Sequence, residues 1–487
     1  MILKRISWLM AFLLVVTIAL VGCGSGGGGG KKKNDAPAPP INPIISTFSL
    51  AGNEGKNVYI LCALANRVEG DTNYIAPYNV TVSSANPSSV ADNFPLRSSL
   101  LKNSLSRRRY PYGDEQMKMD SMLRQREADN LRRRPQSVRF SQKISFAPAL
   151  GETRSFIVYV TPSQTQSRNF IYKKTSANCY IWVDSTENIS DAILDDYVTD
   201  FEASITELRT DFGHDQDTDG EGPIYILISS VFNDFCGGYF NSTDKYAVDG
   251  SNNHDIVYLA NNSYAVVGKY TAEEGQEYNK ATLAHEFQHM INFDCHYRNN
   301  AIVPETIWLN EGLSELASYV CGHGDANNFK IKAFLDFPVG ITVWDQTSSS
   351  YGAGLLFTRY IYERYPAKIT NMVNTNLVGI ANIESTLGVN FDEFITDFYL
   401  ALCYDGTGYS VDPRYEFATL NLRTGDFDGL LPWQSFQIGN NGTALAYPYE
   451  PVLLPLTDVG TNSTITFSVV GSPVKATIIG LEPPDSF

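Results

Sequence analysis

The sequence predicts an α+β protein in which a central region of mixed sheet and helices is flanked by β-rich N-terminal and C-terminal regions. Near both ends, short runs rich in Val, Ile, Thr and Tyr, such as 58–62 and 463–469, are bounded by Gly, Asn, Asp or Pro, which is typical of strands. Between them, apolar residues recur every four positions from 193 to 205, which is a helical period. The 487 residues are 43% hydrophobic, which is enough for a folded core, and this length indicates about three domains.

The N-terminus has the pattern of an export signal. Lys4 and Arg5 precede an apolar run, 8–21, that matches the core of a signal peptide and is short for a membrane-spanning helix. The run ends in Leu-Val-Gly-Cys at 20–23, which resembles the lipobox of bacterial lipoproteins. The resemblance implies that residues 1–22 are removed as a lipoprotein signal peptide.

By the same resemblance, Cys23 becomes the acylated N-terminus and anchors the protein in the bacterial cell envelope, at the outer membrane or cell surface. Several acyl chains together hold a protein firmly on a membrane. Residues 23–44 are rich in Gly and Ser and then in Pro, so we expect a flexible tether. An ordinary cleaved signal followed by a chance cysteine is the alternative.

An N-terminal β domain is expected over 45–183, interrupted by a basic helical insert at 100–135. The insert contains ten Lys or Arg and five acidic residues, a local charge of +5. A solvated linker helix is the favoured interpretation, because charged runs on exposed helices are common. An inhibitory or cleavable segment and a contact with anionic lipid headgroups remain open.

Charge and cysteine usage exclude some functions and leave others open. A net charge of −16 argues against a nucleic-acid partner. Six cysteines besides Cys23 allow up to three disulfides in an exported protein. Cys295 with Cys321 is the first pairing we expect, because they follow the two motif helices described below, and free buried thiols are the alternative. The sequence has no Cys-x-x-Cys pair, which argues against a cysteine-based zinc site.

An acidic loop precedes a predicted buried strand at 223–229. Asp215, Asp217 and Asp219, followed by Gly, match the first half of a calcium loop. The twelfth position is Ile226, where such a loop has a bidentate Glu. A calcium site and a plain acidic turn both remain open.

The central region carries a metal-binding pattern on a predicted helix. His285 and His289 are four residues apart, so a helix places both imidazoles on one face, where they can bind one metal ion. Glu286 lies beside them and is the predicted general base for a water activated by zinc. Catalytic zinc has three protein ligands and one open position. A second predicted helix, 307–318, offers Glu311 as the third ligand.

His-Glu-x-x-His followed about twenty residues later by Asn-Glu resembles the gluzincin metallopeptidases, which include thermolysin and aminopeptidase N. The wider stretch 179–403 resembles the bacterial hyicolysin-type peptidases. These resemblances imply a zincin-like catalytic domain over 184–411, with Glu311 as the third zinc ligand. They also imply that Glu315 accepts a hydrogen bond from a ring N–H of one of the two histidines, a role that zinc-bound imidazoles usually require.

The metzincin peptidases are a rival family that the spacing excludes. They need Gly three residues and His six residues after the second histidine, and this chain has Asn292 and Cys295 there. His296 comes one residue too late, which rotates its side chain by about 100° on a helix.

The oxyanion of the reaction needs a donor besides zinc. The aminopeptidase N type places its catalytic Tyr just before a Gly-containing helix start, and this resemblance implies that role for Tyr351. His323 is the alternative, and a purely structural role for Tyr351 is also open, because most of the 28 Tyr must be structural.

Together these features predict a lipid-anchored zinc endopeptidase that acts on proteins or peptides. An endopeptidase is preferred because no amine-recognition motif of the Gly-x-Met-Glu-Asn type precedes His285. The competing hypothesis is a surface adhesion or binding lipoprotein with a structural or relict metal site. A small β-rich domain is expected over 412–487.

Overall fold

The computed structural model describes most of the chain from residue 43 onwards. The described residues are 43–52, 58–65, 67, 69, 76–83, 113–134, 148–261, 271–345, 347–408, 412–425, 427, 429–430, 442–446, 449–456, 464–470 and 474–479. The predicted signal peptide, the lipidation residue Cys23 and nearly all of the predicted tether lie outside them. Within them helices and strands are both abundant, which confirms the α+β class.

Strands and helices are numbered here in chain order. The strands are β1 (Pro43–Ser49), β2 (Val58–Leu64), β3 (Ala76–Ser83), β4 (Thr153–Thr161), β5 (Gln164–Thr175), β6 (Cys179–Asp184), β7 (Ile224–Ser229), β8 (Gly238–Phe240), β9 (Ile256–Ala260), β10 (Gly442–Ala446), β11 (Val452–Leu456), β12 (Thr464–Val470) and β13 (Val474–Ile479). The helices are α1 (Gly113–Arg133), α2 (Asp191–Asp211), α3 (Ala272–Arg298), α4 (Ile307–Ser318), α5 (Asn328–Asp336), α6 (Ser348–Arg364), α7 (Ile369–Val373), α8 (Gly379–Leu387) and α9 (Phe391–Tyr404).

A six-stranded sheet in the order β4-β5-β6-β7-β9-β8 forms the centre of the fold. The strands β6, β7 and β9 are parallel, and α2 makes the crossover that a parallel β6–β7 pair requires. The sheet is covered on both faces. Along β6, Ile181 and Val183 pack in the cluster that contains the helices, whereas Tyr180 and Trp182 pack in a second, aromatic cluster.

The central sheet extends across the domain boundary that the sequence predicted at 183. Strands β4, β5 and β6, which the sequence assigned to the N-terminal domain, pair edge to edge with the strands that precede the motif helix. Backbone groups of a buried strand need partners on both sides. The strands from Thr153 to Asp184 therefore belong to the same sheet as the region predicted to be catalytic.

The two ends of the chain also combine rather than forming separate N-terminal and C-terminal domains. Four strands make one antiparallel sheet in the order β1-β12-β3-β10, and three make another in the order β11-β2-β13. In this pairing no N-terminal strand is adjacent to another N-terminal strand. The segment after α9 returns to the helices, where Asp405 accepts hydrogen bonds from the backbone of Phe417 and Leu422.

The predicted disulfide between Cys295 and Cys321 is wrong. Both are free thiols, as are the described Cys179, Cys236 and Cys403. The sulfur of Cys295 faces the carbonyl of His214, whereas that of Cys321 faces the carbonyl of Ser204 on α2. The two sulfurs therefore contact different parts of the chain.

None of the helices that the structure describes is both long enough and apolar enough to cross a membrane.

The strand pairing predicts the effect of a C-terminal truncation. Ending the chain at residue 441 removes β10 to β13, so β1, β2 and β3 lose every described sheet partner. We expect limited proteolysis of 43–83 to become at least about tenfold faster, because unpaired strands open locally. Mass spectrometry of the fragments measures this.

A chain that begins at Asn42 keeps all these pairs and is the matched control. Unchanged protection of 43–83 in the truncated chain would contradict the shared sheets.

Candidate metal centre and active site

Two buried helices hold the predicted ligands. Helix α3 starts with a capping box in which Thr271 and Glu274 satisfy each other's backbone N–H groups. It is buried almost continuously from Tyr278 to His296. Because polar residues such as His285 and Glu286 share this stretch, they need partners from the neighbouring helix.

Helix α4 approaches its neighbours closely because of one glycine. A Cβ on Gly312 would lie 3.0 Å from the carbonyl oxygen of Gly354 on α6. Thr358 on α6 also donates a hydrogen bond to the Gly312 carbonyl at 2.8 Å. The Gly that follows Glu311 thus lets α4 pack directly against the backbone of α6, and this fixes the position of Glu311.

Three candidate ligand atoms converge between α3 and α4. The Nε2 atoms of His285 and His289 are 3.1 Å apart. Oε2 of Glu311 lies 3.3 Å from the first and 3.6 Å from the second. In the part of the chain that the structure describes, this is one of three groups of His, Cys, Asp or Glu with atoms close enough to hold a metal ion.

The donor set fits zinc. Two ligands at about 2.0–2.1 Å from a tetrahedral zinc ion lie about 3.3–3.4 Å from each other. The three measured separations of 3.1–3.6 Å bracket that value. Two imidazoles and one carboxylate also leave a fourth position free, as in catalytic zinc sites.

Further residues orient the two imidazoles. Nδ1 of His289 lies 3.0 Å from Oδ1 of Asn310, which also accepts a hydrogen bond from Asn292 at 2.9 Å. With its proton on Nδ1, His289 presents the Nε2 lone pair to the metal position. Nδ1 of His285 lies 3.3 Å from Oε1 of Glu315. The structure therefore brings Glu315 to the position in which it can orient His285.

The pKa values of these groups follow from their burial and charge. Burial lowers the pKa of His289 to about 4, so this ligand is neutral at physiological pH. Burial raises the pKa of Glu286 to about 8, with nearby Glu311 adding to the rise. Burial acts to lower the pKa of His285, but hydrogen bonds to Glu311 and Glu315 raise it to about 10. A divalent cation at this position would favour the deprotonated form of each group, the form in which the two histidines ligate and Glu286 can accept a proton.

The ligands and Glu286 line one cleft, to which the sheet, five helices and the segment between α4 and α5 contribute. The lining residues are Asp120, Leu123, Arg124, Gly237, Gly238, Tyr239, Tyr278, Ala281, Thr282, His285, Glu286, His289, Glu311, Glu315, Ser318, Asn327, Lys330 and Tyr351. Three of them belong to α1, the basic insert. The favoured prediction of a solvated linker helix is therefore wrong, because one face of α1 is buried against the protein.

The structure separates the two candidate oxyanion donors. Tyr351 lines the cleft, and its hydroxyl donates a hydrogen bond to Asp120 at 3.0 Å. His323 is not among the lining residues, and its ring nitrogens lie 3.2–3.3 Å from carboxylates of Asp200 and Glu277. Tyr351 is thus brought to the ligands and His323 is not.

The acidic loop is rearranged relative to the calcium pattern. Asp215 does not join its neighbours, because its carboxylate binds Arg209 at 2.7 and 3.0 Å. Asp217 and Asp219 meet Asp255 instead. Lys245, which is fully buried, already lies 2.5 Å from Asp255 and supplies a positive charge there.

Several residues of the site had no strong sequence signal. Asn310 and Ser314 lie on the predicted second helix, and their contacts with His289 depend on how α4 crosses α3. Lys330 on α5, which balances Glu315 at 2.6 Å, is distant in sequence from both motifs. Asp120 and Arg124 lie in the basic insert, whose charge pattern alone does not indicate which surface it covers.

Comparison with known proteins shows a partial similarity. No family model matches the chain. A neutral metalloprotease, ShpI, of Staphylococcus hyicus is 28% identical over 35% of this chain and 40% of its own length. The chain therefore spans less than half of the relative that it matches.

The donor geometry makes Glu311 testable as a ligand. Substitution Glu311→Ala removes one of three donors, so we expect bound zinc to fall by about tenfold or more, since even groups behind a ligand contribute about 10–100-fold to metal affinity. Atomic absorption on the purified protein measures the zinc content. Glu273→Ala, at an exposed position in the first turn of α3, is the control. Undiminished zinc in Glu311→Ala would remove this residue from the ligand set.

Proposed function

We propose that this chain is a zinc-dependent endopeptidase of the gluzincin type that hydrolyses proteins or peptides. One observation carries the proposal: three donor atoms spaced for tetrahedral zinc lie in the same cleft as the carboxylate of Glu286. A purely structural zinc site would be closed by a fourth protein ligand. The partial similarity to a neutral metalloprotease agrees with this assignment.

The mechanism assigns one task to each group in the cleft. Zinc held by His285, His289 and Glu311 would supply Lewis acidity, which acidifies water and polarises the peptide carbonyl. Glu286 takes a proton from the attacking water and returns it to the leaving amine. Tyr351 donates a hydrogen bond to the oxyanion that forms on the former carbonyl carbon.

Strand β8 provides a binding edge for an extended substrate. It is the terminal strand of the six-stranded sheet as described, and Gly237, Gly238 and Tyr239 line the cleft. A Cβ on Gly238 would lie 2.7 Å from Thr282 and 3.2 Å from Glu286. Gly238 therefore lets the strand run close beside the general base. An extended peptide backbone can pair with such an edge without regard to its own sequence.

The proposed location is the bacterial cell envelope, with Cys23 as the acylated residue. The proposal rests on the lipobox-like sequence at 20–23 and the Gly- and Ser-rich stretch behind it. A tethered endopeptidase there would meet exported or extracellular proteins.

Glu286→Gln tests the general base. The amide has nearly the same size and cannot accept a proton, so hydrolysis of an unstructured protein should fall by about a hundredfold or more. Zinc content should be unchanged. Glu273→Gln, at an exposed position on the same helix, should keep full activity.

Hydrolysis that persists in Glu286→Gln would exclude this base. Because α1 lines the cleft, activity is measured both on the wild type and on a variant in which this helix is displaced. The peptidase assignment would be overturned if neither hydrolysed a substrate when loaded with zinc.

Tyr351→Phe tests the oxyanion donor. We expect kcat for a short peptide to fall by about a hundredfold with zinc content unchanged, because a lost oxyanion donor typically costs that much. The readout is kcat, because losing the bond to Asp120 also changes how α1 binds. Tyr278→Phe, which removes another hydroxyl from the cleft lining, is the comparison. A larger loss in Tyr278→Phe would move the role to that residue.

A further inference from the structure

Helix α1 lies across the candidate active site. Its Asp120, Leu123 and Arg124 share the cleft with the metal ligands and the general base. With α1 in place, His285, Glu286 and Glu311 are only 9%, 8% and 3% exposed. An endopeptidase must admit a stretch of polypeptide to these groups, so this arrangement is not the one that binds substrate.

The helix also engages groups that the reaction needs. The hydroxyl of Tyr351 donates to Asp120 at 3.0 Å, so the proposed oxyanion donor already has an acceptor. The side chain of Arg124 is 11% exposed, forms an ion pair with Glu127 at 2.9 Å and shares the cleft with Glu286 and Glu311. A guanidinium in the cleft that holds the ligand carboxylate and the general base offsets part of their negative charge.

Contacts at both ends hold α1 in place. Near its C-terminal end, Asn130 donates a hydrogen bond to Ser242 at 2.9 Å. Arg134 stacks on the ring of Tyr297, with 4.2 Å from its guanidinium carbon to the ring centroid. Nearer the N-terminal end, Met119 packs in the aromatic cluster of the central sheet. These contacts position the middle of the helix over the cleft.

Some polar atoms of α1 are nevertheless buried without hydrogen-bond partners. Among the described side chains, Nε of Arg124 and Oε1 of Glu127 are buried without a hydrogen-bond partner. Leaving such groups unpaired costs about 1–3 kcal/mol each. Residues 113–134 have six basic and five acidic side chains, so their net charge of +1 adds only a weak attraction to the rest of the chain, which is acidic. The helix is held by its buried apolar face and by polar contacts such as that of Asn130, whereas Arg124 and Glu127 pair with each other at 2.9 Å and leave their remaining buried polar atoms without partners.

We propose that α1 is an intramolecular inhibitor that covers the substrate cleft and must be displaced before a polypeptide can bind. This inference rests on the proposed peptidase function, because it concerns the regulation of the same cleft. Asp120 and Arg124 act together in this role: Asp120 accepts the hydrogen bond of the Tyr351 hydroxyl, and Arg124 places its charge in the cleft that also holds Glu286 and Glu311.

Displacing α1 without touching the cleft tests the proposal. Leu131 is fully buried on α1 and does not line the cleft, so Leu131→Asp should loosen the helix and leave the catalytic groups intact. We expect kcat/KM for a short peptide to rise by about tenfold or more, because the measured constant scales with the open fraction. Ser121→Asp makes the same charge change at an exposed position of α1 and should leave kcat/KM unchanged.

A second measurement needs neither zinc nor turnover. A fluorescent synthetic peptide of residues 113–134 should bind the Leu131→Asp chain in the presence of a chelator, followed by fluorescence anisotropy. It should bind the wild type at least about tenfold more weakly, because there the tethered helix already fills its own binding surface. A peptide of the same composition in scrambled order is the control. Added to zinc-loaded Leu131→Asp, the native-order peptide should restore inhibition.

The outcomes separate the two proposals. Unchanged kcat/KM in a folded Leu131→Asp chain would overturn the inhibitory role and leave the peptidase intact, and a fall would show that α1 completes the active site instead. If zinc-loaded variants hydrolyse nothing, the peptidase assignment fails. The covering of the cleft by α1 is then tested by the peptide alone, and equal binding of the peptide to the wild type and to Leu131→Asp would exclude it. Circular dichroism checks folding. If Leu131→Asp does not fold, Met119→Asp replaces it, because Met119 is also fully buried on α1 and lies outside the cleft lining.

Discussion

The close crossing of two buried helices is the constraint on which the rest of this structure depends. Ligand atoms from α3 and α4 meet within 3.1–3.6 Å of one another, and such spacing tolerates little movement of either helix. Gly312 makes the approach of α4 to α6 possible, and Asn310 links α4 back to α3 through His289 and Asn292. The central sheet then serves as the rigid base on which α3 lies.

Charge balance is the second consequence of burying this centre. Glu286, Glu311 and Glu315 lie together in a region nearly closed to water, where an unpaired carboxylate is costly. Two cationic side chains in the cleft balance part of this charge: Lys330, which lies 2.6 Å from Glu315, and Arg124 of α1. Lys330 is contributed by the helical region itself, whereas Arg124 comes from a separate insert. In the proposed inhibited state the helix thus adds both the guanidinium of Arg124 and the carboxylate of Asp120 to the cleft.

The arrangement of strands explains how one chain combines these parts. Sequential segments do not form sequential domains: the two ends of the chain pair with each other, and the insert between β3 and β4 reaches the cleft. Glu69, just after β2, accepts a hydrogen bond from the indole of Trp308 on α4 at 2.9 Å. The terminal sheets are thereby connected to the helix that carries Glu311, so they are structurally coupled to the metal centre.

The sequence by itself determined the α+β class, the two motif helices and the residue types that can ligate zinc. These depend on local periodicity and on chemistry that residues four apart on one helix already define, as with His285 and His289. The tertiary structure alone decided which strands pair, that Cys295 and Cys321 remain free thiols, that Asp215 binds Arg209, and that α1 lines the cleft. Each of these depends on contacts between segments distant in the chain, and the charge or hydrophobic pattern of one segment does not specify its partner.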